Sequence, residues 1–194
     1  MHPEEFGIED AQISGKYLPE KYFKVQHARR RIQSLVTDTA SGKIIYAGTD
    51  VGIYRSEDSG KTWLQTNQGL FDQHIHSIVI DPKDSDTIYA GTGRGVFKSE
   101  DAGDTWSEWF DESAGLTHSK IYDLVLHPED SDILFSATDG GVFQSLDAGE
   151  NWEPVFTDQS IRIIKFSASN PDILYASGAS GIFRSKTRGR DWSP

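Results

Sequence analysis

Residues 56–63 read SEDSGKTW. A hydroxyl, two carboxylates, a lysine and an indole within eight residues are the side chains of an acid–base or metal-binding loop. The chain repeats the stretch. Residues 99–106 read SEDAGDTW, 145–152 read SLDAGENW and 185–192 read SKTRGRDW. An active site needs such a loop once, whereas a structural device is needed once per structural unit, and four copies point to a device.

The tryptophans set the frame. Thirty-one residues before Trp63, Trp106, Trp152 and Trp192 stand Ile32, Ile75, Ile121 and Ile161. The four units align between those limits without a gap. Only the linker from each Trp to the next Ile varies, so the period runs 43, 46 and 40 residues. Each unit opens with an apolar, β-branched run such as IHSIVI, followed by a polar turn such as DPKDSD. A short strand such as TIYAG, a Gly turn such as TGRG and a third strand such as GVFKS come next, then the octet as third turn and a fourth strand from the Trp onward. Four short strands in a unit of about 40–45 residues predict an all-β fold and a propeller blade.

The expected fold is a β-propeller of four-stranded antiparallel blades, with four repeats visible, starting at residues 32, 75, 121 and 161. Residues 1–20 read as an N-terminal arm and 21–194 as the propeller. KYFKVQ, residues 21–26, reads as an outer strand completing another blade, because Phe23 precedes Ile32 by the nine residues that separate Trp152 from Ile161. Unit four ends two residues after Trp192 and lacks most of its outer strand. An open arc exposes sheet and core at both ends, so closure is expected through the N-terminal strand or through a partner chain.

The octet S-x-D-x-G-x-T-W resembles the Asp-box, or BNR repeat, of sialidase-like β-propellers. The resemblance covers residues 32–192, and the fourth copy departs from it with Thr187 in the place of the Asp. The same box occurs in sialidases, xyloglucan-cleaving glycosidases, sortilin-type receptor domains and photosystem II assembly factors. It therefore implies a fold and leaves function open. It also implies that the box lies on the face opposite the ligand site. Physically, Gly60, Gly103, Gly149 and Gly189 suit the positive φ of a tight hairpin. Asp58, Asp101 and Asp147 can accept backbone N–H groups ahead of them, and Ser56, Ser99, Ser145 and Ser185 can add a hydroxyl contact. Trp63, Trp106, Trp152 and Trp192 are expected to pack within or between blades.

Blade connectivity puts the octets at one end and the turns TDVG, TGRG, TDGG and GASG, with the linkers, at the other. Variable loops on a rigid scaffold carry function. On that second face the candidate binding residues are Arg29, Arg30, Arg31, His74, Arg94 and Lys120, with His76 and Arg162 one residue inside their strands, a cationic patch suited to a carboxylate, a phosphate or an acidic protein surface. Asp50 and Asp139 sit in its turns and Trp109 in a linker. Phe71, Phe110 and His118 share those linkers, with Phe71 and Phe110 expected in the inter-blade core.

A sialidase-like activity would imply three arginines, a Tyr–Glu pair and an acid Asp. Residues 31–33 read Arg-Ile-Gln where that family has Arg-Ile-Pro, and no glutamate is placed to activate Tyr122. Glycosidase chemistry needs two carboxylates across a cleft. Asp50, Asp72, Asp123 and Asp139 lie on or near the second face, but Asp50 and Asp139 have a simpler role as turn residues. The chain has no cysteine, and its six histidines offer only His74-x-His76, so no catalytic residue, cofactor or metal is assigned. The expected function is a non-catalytic scaffold or assembly subunit, and the alternative is a carbohydrate-binding or glycoside-hydrolysing module. Partners are another protein, a second copy of the chain or a glycan. A net charge of −11 argues against nonspecific nucleic-acid binding. No apolar run reaches the roughly 18 residues of a membrane span. Residues 1–17 have no signal-peptide pattern, which predicts a cytoplasmic protein if that terminus is native and an extracellular or periplasmic one if it is processed.

Overall fold

Short runs of Ile, Val, Tyr and Phe punctuated by Gly, Asp and Pro favour strands over helices. The computed structural model describes residues 22–23, 31–38, 42–108, 114–157 and 159–194, and each of its elements is a strand. The first sheet holds β1 (Tyr22–Phe23), β2 (Ile32–Thr37), β3 (Ile45–Thr49), β4 (Gly52–Ser56) and β5 (Trp63–Gln65). The second holds β6 (Ile75–Ile80), β7 (Ile88–Thr92), β8 (Gly95–Ser99) and β9 (Ser107–Glu108). The third holds β10 (Ile121–His127), β11 (Asp130–Thr138), β12 (Gly141–Ser145) and β13 (Glu153–Thr157). The fourth holds β14 (Ile161–Ser167), β15 (Asn170–Gly178) and β16 (Gly181–Ser185), with an antiparallel bridge from Arg184 to Ser193. Apart from β1, strands pair antiparallel in chain order within each sheet.

Register repeats with the sequence. Ala47 faces Tyr54, Ala90 faces Phe97, Ser136 faces Phe143 and Ala176 faces Phe183 across the second and third strands of their sheets. A small residue opposite an aromatic one evens the volume on each face. The core lies between sheets. One apolar cluster joins sheets one and two, a second joins two and three, and a third joins three and four. The first strands stack in order, β2 on β6, β6 on β10 and β10 on β14.

Two further contacts recur at these junctions. The leading Ile of one sheet seats on bare backbone of the sheet before it. A Cβ on Gly48 would lie 2.7 Å from Ile75, and one on Gly91 would lie 2.6 Å from Ile121. Hydrogen bonds then cross the gap. Ile78 N–H donates to Ser34 (3.0 Å), Leu124 N–H to Ser77 (3.1 Å) and Ile164 N–H to Asp123 (3.1 Å). At the outer side Tyr46 Oη donates to the Ala102 carbonyl (2.8 Å) and Tyr89 Oη to that of Ala148 (3.0 Å). Burial pushes the Tyr46 hydroxyl up to about 12 against the opposing charge of Arg55, and burial also raises Tyr89, so both stay protonated donors.

The N-terminal strand differs from expectation. Tyr22–Phe23 pairs antiparallel with Trp63–Leu64 and adds a fifth strand to sheet one, and so completes no other blade. β5 has one side taken by β4, and its other, outer edge recruits the strand. The other positions of 21–26, and the arm at 1–20, lie outside the described residues.

Candidate functional site

The octets close on themselves. Ser56 Oγ donates to Asp58 Oδ1 (2.9 Å) and accepts from Gly60 N–H (2.8 Å). Asp58 in turn accepts Thr62 N–H (2.8 Å) and Thr62 Oγ1–H (2.6 Å). The pattern recurs with Ser99, Asp101, Gly103 and Thr105, and with Ser145, Asp147, Gly149 and Asn151. In the fourth copy Ser185 Oγ still accepts Gly189 N–H, and Thr187 Oγ1 accepts Asp191 N–H. A single neutral oxygen there replaces a two-oxygen carboxylate. Each box carboxylate accepts three hydrogen bonds from its own turn, which is a structural task within the turn.

The turn holds two left-handed residues, not one. Gly60, Gly103, Gly149 and Gly189 have φ between 82° and 94°, and the residues before them, Ser59, Ala102, Ala148 and Arg188, have φ of 54° to 61°. Two successive positive φ values form the tight hairpin that matches strand twist. Residue type did not announce the first of them. These residues also anchor the turn. Ser59, Ala102, Ala148 and Arg188 each donate N–H to a carbonyl at the start of the second strand of their own sheet or just before it, at Lys43, Asp86, Asp132 and Asp172. The carbonyls of Ala102 and Ala148 receive the tyrosine hydroxyls of the preceding sheet, and that of Arg188 receives Gln144. The box is therefore a clip within one sheet and a clasp between two. The indole N–H groups of Trp63, Trp152 and Trp192 bond to Gly60, Gly149 and Gly189 of their own boxes, while that of Trp106 reaches Thr66 of the sheet before it.

These bonds set an acid limit. Hydrogen bonds from Thr105 hold Asp101 below the usual carboxylate range. At Asp58 and Asp147 partial burial acts upward, but the donors Thr62 and Asn151, with Ser56 and Ser145, outweigh it and the net shift is downward. A carboxyl whose folded pKa lies below its unfolded value of about 3.9 stabilises the fold above that pH and stops doing so as pH falls through the folded value. The melting temperature is expected to hold between about pH 7 and pH 5 and to fall below about pH 4. Replacing Asp58, Asp101 and Asp147 together by Asn should flatten that acid limb. An unchanged limb in thermal melts would disprove the assignment.

The opposite end gathers the candidate binding residues. Asp50, His74, Arg94 and Lys120 line one open groove of about 680 Å³, together with Phe71 and His76. The contributing segments are the turns before β4 and β8 and the linkers that lead into β6 and β10. Beside the groove the Arg162 guanidinium lies 3.8 Å from the centre of the Tyr122 ring, and Lys120 Nζ lies 5.2 Å from it. The His76 ring approaches from 6.3 Å. Three sheets thus converge on one aromatic ring. Burial, then the charge of Lys120, lowers the pKa of His76, so its imidazole is neutral at pH 7 and can donate and accept. His74 leans towards Asp72, which accepts its backbone N–H at 3.1 Å.

Not every candidate joins this groove. Arg31 accepts Asp50 N–H through its carbonyl, and its exposed side chain is not among the groove's lining. Asp139 lines a separate groove of about 380 Å³ with His118 and Phe143. Arg29, Arg30, Trp109 and Phe110 lie outside the described residues. Phe71 is a correction. It is 59% exposed, with its edge against Phe97, because Leu70 takes the core position and the next side chain turns outward. Asp123 is another, because it is buried and holds Ser77, Ile164 N–H and Lys165 rather than facing the groove. The sequence reading placed His76 in the patch but missed Tyr122 as its centre. The signal for both was positional: the second residue of each unit is Gln33, His76, Tyr122 or Arg162, a large side chain with a polar end directly after the leading Ile.

Among the described residues no three His, Asp or Glu side chains come together as a metal site, and no helix is long and apolar enough to cross a membrane.

An all-β chain of four antiparallel sheets, each clasped to the next by an Asp-box, is propeller-type architecture. The family model described as "Sortilin, neurotensin receptor 3" matches residues 52–140. Among solved structures, an ancestral GH74 enzyme superposes with a TM-score of 0.71 at 22% identity, covering 84% of this chain and 23% of its own. The GH74 xyloglucanase from Xanthomonas campestris gives 0.66 at 22% identity, with 84% and 30% covered. YCF48 bound to D1 peptide gives 0.65 at 15% identity, with 85% and 55% covered. This chain spans under a third of those GH74 enzymes and about half of YCF48. No curated protein matches. These structures share the propeller fold with this chain, and the family model matches under half of it.

Proposed function

We propose that this chain is a non-catalytic propeller module that holds another protein, as a scaffold or assembly subunit, by a carboxylate-bearing segment lying across the groove at Tyr122. The observation that carries the proposal is the convergence of Lys120, Arg162 and His76 on one ring, flanked by Arg94 and the exposed Phe71. Arginine and lysine placed this way offer charge-assisted donors to an anion, and Phe71 offers an apolar anchor beside them. A net charge of −11 repels most anionic partners at long range, so recognition depends on this short-range cluster. The structural likeness to a peptide-bound YCF48 supports a protein partner.

The likeness to GH74 enzymes supports the second reading, a glycan-binding or glycoside-hydrolysing module. Against it, Asp123 is engaged by internal donors and Asp139 lies in a different groove, and of the pair Asp50 and Asp72 that share the groove, Asp72 accepts the His74 N–H. Fluorescence anisotropy with a labelled peptide ending in Asp-Glu, and with its Asn-Gln counterpart, tests the proposal. The acidic peptide should bind at least about tenfold more tightly, and the double variant K120E/R162E should abolish the difference. Equal affinity for the two peptides, or turnover of a xyloglucan oligosaccharide that disappears in Asp50→Asn, would favour the second reading.

A further inference from the structure

The two end sheets carry opposite halves of the junction that is built three times inside the chain. At the internal junctions Ile75, Ile121 and Ile161 are fully buried against the preceding sheet. Their counterpart in sheet one, Ile32, is 50% exposed, and Leu35, the counterpart of Ile78, Leu124 and Ile164, is 62% exposed. The trailing side of sheet four shows the reverse. Ile182 is 70% exposed where Ile53, Val96 and Val142 are buried, and Tyr175 is 42% exposed where Tyr46 and Tyr89 are buried.

We infer that the trailing face of sheet four seats the leading face of sheet one in a second copy of this chain, so that two copies associate head to tail. The internal junctions supply the template. Tyr46 and Tyr89 donate to the carbonyl of the left-handed residue in the next box, and Tyr175 occupies the same register position. Ser59, at φ 61°, holds the backbone of Ala102 and Ala148, at 55° and 56°, and so presents the matching carbonyl. Ser177 holds the position of Gly48, Gly91 and Ala137, and the third junction, where Ala137 clusters with the leading Ile161, already accommodates a Cβ there. Arg184 occupies the position of Arg55, which also donates to the Ala102 carbonyl. One bond is absent from the new junction. Ile163 replaces Ser34, Ser77 and Asp123, so an apolar contact stands where the others have a hydrogen bond. The strand β1 lies on the outer edge of sheet one, opposite β2, and leaves Ile32 and Leu35 uncovered. A heterologous contact between two four-sheet arcs closes when each copy uses both faces.

Native mass spectrometry and sedimentation equilibrium of the full chain at about 1–50 μM test this, since an interface of good complementarity holds in that range. Two copies are expected for the native sequence. The variants L35D and I182D, both at exposed positions that spare the fold, should each be monomeric. Mixing them should restore a two-copy species through the one intact junction that the pair retains. A monomeric native chain, a dimeric L35D variant or the absence of recovery on mixing would overturn the inference. Binding of the acidic peptide to each monomeric variant is read separately, so failure of this contact and failure of the groove remain distinguishable.

Discussion

Replacing Trp152 with Ala is expected to lower the unfolding free energy by about 3–5 kcal/mol. The indole is 2% exposed and belongs to the cluster between sheets two and three, with Tyr89, Leu116 and Phe143. Its backbone N–H bonds to the Ala114 carbonyl at 2.6 Å and its indole N–H to Gly149 at 2.9 Å. Truncation opens a cavity that rigid strands on three sides cannot close, and leaves the Gly149 carbonyl unpaired. Trp63 in the same box position is only half-buried, so its truncation should cost about half as much. Urea titrations followed by far-UV circular dichroism measure both. Equal losses at the two positions would show that the box, and not the inter-sheet cluster, sets the energy.

Asp123→Ala is expected to cost about 2–4 kcal/mol. The carboxylate is buried and receives Ser77 Oγ (3.0 Å), Ile164 N–H (3.1 Å) and Lys165 Nζ (2.9 Å). It thereby ties sheets two, three and four together at the first strands. Its removal leaves the buried Ile164 N–H without an acceptor, whereas Lys165 can turn to water because its side chain is 61% exposed. Asp123→Asn keeps an oxygen for Ile164 and should lose under half as much. Ser77→Ala should cost about 1 kcal/mol and combine non-additively with Asp123→Ala in a double-mutant cycle. If Asp123→Ala and Asp123→Asn are both neutral in urea titration, the crossing bonds do not hold the sheets.

Much of the fold was legible because the device that builds it recurs. Ser, Asp, Gly and Trp return at fixed offsets, and the apolar run returns thirty-one residues before each Trp. Local hydrogen bonds within eight residues follow from those types and spacings alone. The first left-handed residue of each box was not legible, since Ser59, Ala102, Ala148 and Arg188 share no side-chain property. Their conformation is imposed by the bond each N–H makes to a carbonyl about sixteen residues earlier. The candidate binding face was legible in part. His74, Arg94 and Lys120 were placed by connectivity, while Tyr122 and His76 became central only through packing between sheets.

The sequence by itself determined that four like units form short antiparallel strands, that each octet is a turn, and that the octets and the Gly turns lie at opposite ends of every unit. Periodicity and local turn chemistry are enough for that, because each bond involved joins residues close along the chain. Tertiary structure alone decided what lies between units. It set β1 against β5, turned Phe71 outward, committed Asp123 to Ile164 and left Ile32, Leu35, Tyr175 and Ile182 exposed. These outcomes depend on which surfaces meet across about forty residues or more, and the free energy of such contacts is settled by shape and burial at the junction and not by any one residue's preference.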